Sequence, residues 1–168
     1  MGTLSQAFLA DGLTNSIVAI NHTHQDNHDG ELFQLSHVFA SGNDHLIRLV
    51  TGSKALHGVI YHGADGVYTF QLIEGITNGA GTAVSVVNKN RNSSETTDVS
   101  ASWLAAAPTG GTTLSSLRVG STNFLGGASR DDDEWILAPN TTYGLYISTS
   151  ANQAFIEVVF YETSKLVG

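Results

Sequence analysis

The sequence predicts an all-β protein, a single antiparallel β-sandwich preceded by an N-terminal arm. Apolar and polar residues alternate with a period of two in run after run from residue 31 onward. Turn signals recur at intervals of about 8–12 residues, the spacing of sandwiches, jelly rolls and barrels rather than of βαβ units. Eighteen glycines and a wealth of Ser, Thr and Asn suit strands joined by tight turns.

In chain order, residues 1–15 have weak periodicity and suit a short helix or an extended arm. Ile17 to Ile20 reads as a brief strand, and His22 to Gly30 as a polar loop. Glu31 to Phe39 alternates, with Phe33, Leu35 and His37 opposite Leu32, Gln34, Ser36 and Val38. Strands follow at His45 to Thr51, Leu56 to His62 and Val67 to Glu74; the last sets Tyr68, Phe70 and Leu72 on one face. Ala83 to Asn88 and Thr97 to Leu104 read as two strands around a polar turn. Leu117 to Val119 and Glu134 to Leu137 are short, and Thr142 to Thr149 and Ala154 to Glu162 close the pattern. The division is therefore an arm over residues 1–30 and a sandwich over 31–168, with Phe70, Trp135, Tyr143 and Phe160 in the core.

Composition narrows the function classes. The 168 residues include no cysteine, which excludes disulfides and thiolate metal sites. Charged residues are only 13%, with 7 basic against 15 acidic and a formal charge of -8. The basic residues are scattered, whereas duplex binding needs them clustered to displace counterions from phosphate; no nucleic-acid partner is expected. The first ten residues lack the pattern of a secretory leader, and no apolar run approaches the ~20 residues that span a bilayer. No membrane partner is expected either.

Candidate chemistry is sparse. His22, His24, His28 and Asp29 could chelate zinc or nickel, but a polar loop offers nothing to orient such ligands, so no metal is assigned. His57 and His62 are five apart and point to opposite faces of one strand. The run Asp131-Asp132-Asp133-Glu134 lacks the ligand spacing and central glycine of a calcium loop. Neither a Gly-x-Ser-x-Gly elbow nor a phosphate-cradling Gly-x-x-x-x-Gly-Lys-Ser/Thr is present. No catalytic residue and no cofactor are expected. Trp103 and Trp135 read as core anchors before sugar-stacking platforms.

One ordered set of motifs is more specific. It comprises Glu74-Gly75-Ile76-Thr77, Asn88-Lys89-Asn90-Arg91-Asn92-Ser93 and Pro108-Thr109-Gly110-Gly111-Thr112, then Glu134-Trp135-Ile136-Leu137-Ala138-Pro139-Asn140-Thr141-Thr142-Tyr143 and Glu157-Val158-Val159-Phe160-Tyr161-Glu162. In this order and spacing, over residues 45–162, the chain resembles the head decoration (capsid cement) proteins of tailed bacteriophages. Ile76 stands where that family often has proline, and residues 1–44 match poorly.

The resemblance implies a sandwich of jelly-roll kind on the outer surface of the virion capsid, assembled in the host cytoplasm. There it would bridge neighbouring subunits of the major capsid protein and associate with itself, as a homotrimer rather than a homodimer. The apolar residues Phe8, Leu9, Leu13 and Ile17 of the arm, with Arg91, are the expected capsid or subunit interface. The competing readings are a carbohydrate- or receptor-binding module of a fibre or head appendage, and an enzyme.

Overall fold

The computed structural model describes residues 8–10, 17–19, 22–40, 42–120, 134–150 and 153–163. Its elements are β1 (Phe8–Ala10), β2 (Ile17–Ala19), α1 (His22–Asp29), β3 (Phe33–Phe39), β4 (Asp44–Val50), β5 (Ala55–Ala64) and β6 (Tyr68–Glu74). They continue with β7 (Thr82–Val84), β8 (Val86–Asn88), β9 (Ser100–Leu104), β10 (Thr112–Val119), β11 (Trp135–Leu137), β12 (Thr142–Thr149) and β13 (Ala154–Thr163).

Alternation fixes the architecture. Each strand from β3 onward has an apolar row to bury, and two sheets stacked face to face bury all of these rows at once. The five-stranded sheet has the order β11-β5-β13-β3-β8, and the six-stranded sheet β10-β6-β12-β4-β9-β7. All the strand pairs are antiparallel. From β3 to β6, and again from β10 to β13, each connection carries the chain from one sheet to the other. These eight strands form the two four-stranded sheets of a jelly roll. The β7–β9 insertion lengthens both sheets at one edge.

The shared core contains Phe33, Leu35 and Phe39 of β3, Ile47 and Leu49 of β4, and Tyr68, Phe70 and Leu72 of β6. It is completed by Tyr143, Leu145 and Ile147 of β12 and by Ile156, Val158 and Phe160 of β13. Phe70, Tyr143 and Phe160 are thus core residues, as expected. Trp135 is not fully inside: it is half-buried and packs against the core from the short edge strand β11. An edge strand has a neighbour on one side only, so the indole has less to cover it.

The expected strand over Ala83 to Asn88 is instead two strands in different sheets. The chain leaves β9's side at Val84 and joins β3 at Val86, crossing between sheets at Ser85. At the other end of residues 105–119, β10 is longer than expected. Its leading Thr and Ser residues pair with β6 at the sheet's edge, where a polar, exposed strand is tolerated.

His22 to Gly30 corrects another expectation: it is a helix, not a loop. The Gly30 N–H donates to the Asn27 carbonyl and the Glu31 N–H to the Asp26 carbonyl, which is the hydrogen-bond pattern of a Schellman cap. Gly30 has φ 78°, the left-handed geometry that cap requires. The Asn-rich turn then holds the helix end. Asn88 Nδ2 donates to the Gly30 carbonyl at 2.6 Å and Asn90 Nδ2 to the His28 carbonyl at 3.0 Å. The same asparagines shape their own turn, because Asn90 N–H donates to Asn88 Oδ1 and Asn92 N–H to Asn90 Oδ1.

Gly30→Ala adds a left-handed alanine and a methyl group against Ser93. The expected cost is about 1–2 kcal/mol from the backbone alone, with more from the crowding. Urea denaturation beside the exposed-site control Glu31→Ala measures it; equal midpoints for the two variants would mean that the cap does not hold α1.

Candidate interaction surface

The two outer faces of the sandwich are finished differently. The outer face of the six-stranded sheet is covered by the chain itself. Two straps, residues 75–81 and 105–111, cross it side by side. The Thr77 N–H donates to the Thr109 carbonyl, Asn78 Nδ2 to the Ala107 carbonyl, and the Thr109 N–H to Asn78 Oδ1. Arg48 Nε reaches up from β4 to the Asn78 carbonyl at 3.0 Å. Beneath the straps Ile76 is buried with Leu46, Ile73 and Tyr146, a small second core. An isoleucine fits here because the position is an apolar lid.

Among the described residues, the outer face of the five-stranded sheet has no such cover across its whole length. Register places Phe155 of β13 between Val38 of β3 and Gly63 of β5. Next come Glu157 between Ser36 and Tyr61, and Val159 between Gln34 and Val59. Tyr161 lies beside His57, which in turn lies opposite Ile136 of β11. The Phe155 ring lies on Gly63, where a side chain would collide with it. Val38 is 64% exposed, Ile136 62% and Phe155 40%. Glu157 is the one carboxylate among these strand positions. Apolar side chains gathered on one face mark a contact surface more often than scattered ones do.

One end of this face is occupied. Asp26 of α1 is buried, and its charge acts on Tyr161. Burial first, then the hydrogen bond to Glu134 and the charges of Glu134 and Asp26, hold the Tyr161 phenol protonated far above its ordinary range. The Tyr161 hydroxyl also lies 3.3 Å from His57 Nδ1, and that nitrogen is 3.6 Å from Glu134 Oε1. The His57 ring stacks on Tyr161 at 4.9 Å. These groups tie α1 and the start of β11 to the sheet. The open part is the opposite end, around Val38, Phe155 and Tyr61. Nearby, a groove of about 370 Å³ lies where the chain crosses between sheets, lined by Gln34, Ser36, His37, Ala83, Val84, Ser85 and Val87.

The residues expected at an interface are distributed as follows. Phe8 and Leu9 lie on β1 and Ile17 on β2, which pair as a hairpin in the register Phe8↔Ala19, Leu9↔Val18 and Ala10↔Ile17. That hairpin belongs to neither large sheet. Leu13 lies outside the described residues, as do Phe124, Asp131, Asp132, Asp133 and the side chains of His22 and His24. Arg91 is exposed, in the turn that holds the end of α1. The open face was missed in the sequence, although β3, β5 and β13 carry apolar residues on both of their faces.

The resemblance motifs meet mainly at one corner. The Tyr143 hydroxyl accepts from the Ala138 N–H at 2.9 Å and donates to Glu74 Oε1 at 3.1 Å. Burial, opposed by the Ala138 N–H and assisted by the Glu74 contact, raises its pKa. Thr51 Oγ1 donates to the Ala138 carbonyl and accepts from the Thr141 N–H, and Asn140 adopts φ 52° to close the turn. These residues have local structural work at this corner. No family model, curated protein or solved structure matches the chain.

Tyr143→Phe leaves the Ala138 N–H without its acceptor at this corner and is expected to cost about 1–3 kcal/mol. Trp135→Ala, at a half-buried edge position, should cost less than the roughly 3–5 kcal/mol of a fully buried aromatic. Denaturation of both variants at one protein concentration checks the pair; a Trp135 cost above that range would place the indole in the core after all.

Proposed function

We propose that this protein is a non-enzymatic virion structural protein that binds the outside of a tailed-phage head. It stabilises the shell by bridging neighbouring subunits of the major capsid protein. The observation that carries the reading is the contrast between the two faces: one is crossed by the chain's own straps, and the other is, among the described residues, left open, apolar and nearly uncharged. Covering that face with a partner removes apolar surface from water at about 25 cal/mol per Å², and the face offers little unpaired charge to oppose docking. The ordered motif set supports the same class, since its residues build the jelly-roll corner and the turn that holds α1.

Bridging needs contacts in more than one place. The β1–β2 hairpin supplies a second element, apart from both sheets and too small to be stable in water by itself. In this proposal the hairpin takes its partner from the capsid or a sister subunit, Arg91 contributes at the neighbouring turn, and three copies associate. Low surface charge suits a protein whose sides are covered by neighbours.

Cosedimentation with undecorated heads tests the proposal. Val38→Asp with Phe155→Asp should weaken head binding at least tenfold, about 1.4 kcal/mol, with an unchanged circular dichroism spectrum. Deleting residues 1–20 should weaken binding too and leave the sandwich folded. If the full-length protein fails to bind heads, or if both variants bind as it does, the capsid reading fails. A saturable signal on a glycan array would transfer the open face to the carbohydrate-binding alternative.

A further inference from the structure

Three of the seven histidines lie in one layer between the sheets, with His45 and His62 buried and His37 partly buried. On the five-stranded sheet, register sets His37, Ile156 and His62 side by side. On the six-stranded sheet it sets His45, Ile147 and Phe70 side by side. Every one of these histidine rings stacks on a ring of the opposite sheet. His62 lies on Phe70 at 3.9 Å and 7°, His37 on Trp103 at 5.0 Å and 17°, and His45 on Phe39 at 4.6 Å and 29°. The layer lies towards the end of the sandwich where β3, β5 and β12 end and β4, β6 and β13 begin. At the opposite end, the Tyr143 corner holds the sheets with hydroxyl and backbone hydrogen bonds, and the histidine at that end, His57, lies on the outer face against Tyr161.

We propose that His37, His45 and His62 form an acid-sensitive latch between the two sheets, which loosens the end bearing Phe39, His45, Gly63 and Tyr68 while the Tyr143 end stays closed. The inference does not depend on the capsid reading.

The chemistry is that of a buried imidazole. A neutral ring stacks on an aromatic face in an apolar layer at little cost, whereas an imidazolium there loses its hydration. The surroundings give a proton little compensation. His62 has the Tyr68 hydroxyl 3.1 Å from Nδ1 and no carboxylate beside it, and burial takes its pKa down to about 4. For His45 burial dominates; a hydrogen bond to the Gly42 backbone and then the charge of Asp44, which also accepts from the Tyr146 hydroxyl, oppose it and favour a proton. Its Nε2 is buried without a hydrogen-bond partner among the described residues. His37 is lowered by burial and then by His45, so charging one opposes charging the other. At the same end Asp65 accepts from the Gln153 N–H.

The direction follows from proton binding. Unfolded or opened, these histidines take protons near 6.5; folded and stacked, they take them lower. Between those values the opened form binds more protons, so closure is favoured at neutral pH and weakens as the pH falls from about 6.5 towards 4. For His62 alone, the displacement from 6.5 to about 4 corresponds to roughly a 300-fold loss in the closing equilibrium once both forms are protonated.

Two measurements on the wild-type protein test the latch. Imidazole NMR titration should give His62 an apparent pKa below 5, with His37 and His45 below 6.5. Amide exchange, expressed as protection factors, should fall at least tenfold between pH 7.5 and 5.0 at residues 37–39, 45–47, 61–63 and 68–70. Residues 49–50, 56–58 and 143–145 should change less than threefold. Ordinary titration near 6.5 in the folded protein, or an equal fall at both ends, overturns the proposal. His62→Phe keeps an aromatic stack without the proton and should remove most of the pH dependence; if the folded variant loosens as before, the latch is wrong.

Discussion

The last strands of the chain are the central strands of the fold. β13 lies between β3 and β5, and β12 lies between β4 and β6, so each sheet is split down its middle until these two strands arrive. The inward rows of these two strands, Tyr143, Leu145 and Ile147 facing Ile156, Val158 and Phe160, are almost wholly excluded from water. Neither sheet can bury its apolar face without them, and neither can pair its middle strands. The rest of the molecule is arranged around that closure: edge strands, straps over one outer face, and a helix at one end of the other. Such non-local pairing delays the reward for ordering the chain, which is the reason sandwiches fold slowly relative to helical bundles.

The parts of this architecture that rest on local chemistry were legible in the sequence. Alternation over Tyr68, Phe70 and Leu72 and over Ile156, Val158 and Phe160 names the buried face directly, because a strand has only two faces. The parts that rest on distant partners were not. α1 has eight polar residues and no apolar stripe; it is fixed by a glycine cap and by Asn88 and Asn90, about sixty positions further on. The break at Ser85 carries no proline or glycine to announce it, and only the presence of two sheets to join makes it necessary. Trp135 has the composition of a core residue and the position of an edge residue. The open face was hidden for the same reason: Val38, Phe155 and Ile136 are single residues in separate strands, and only the register gathers them.

The difference between the two outer faces is a matter of chain economy. The long connections between β6 and β7 and between β9 and β10 are spent on covering the six-stranded sheet, with Ile76 as the seal. Among the described residues, the cover of the five-stranded sheet comes from α1 at one end. A domain of this size could have closed both faces in the same way. Among the described residues, the asymmetry therefore follows from where these two connections run.

The bond between α1 and the Asn88–Asn90 turn has a mechanical consequence. The chain from the β1–β2 hairpin enters the body through Gly30, where two asparagine side chains hold the helix end, and then runs straight into β3. Hydrogen bonds between strands lie across the strand axis, so tension applied along β3 is shared by the whole ladder with β13 rather than met one bond at a time. A tether joined to a sheet in this geometry resists shear along its length and yields more readily to peeling from the side. The strength of the arm's attachment to its own domain therefore depends on the direction of the load, and the asparagine turn is the first link to bear it.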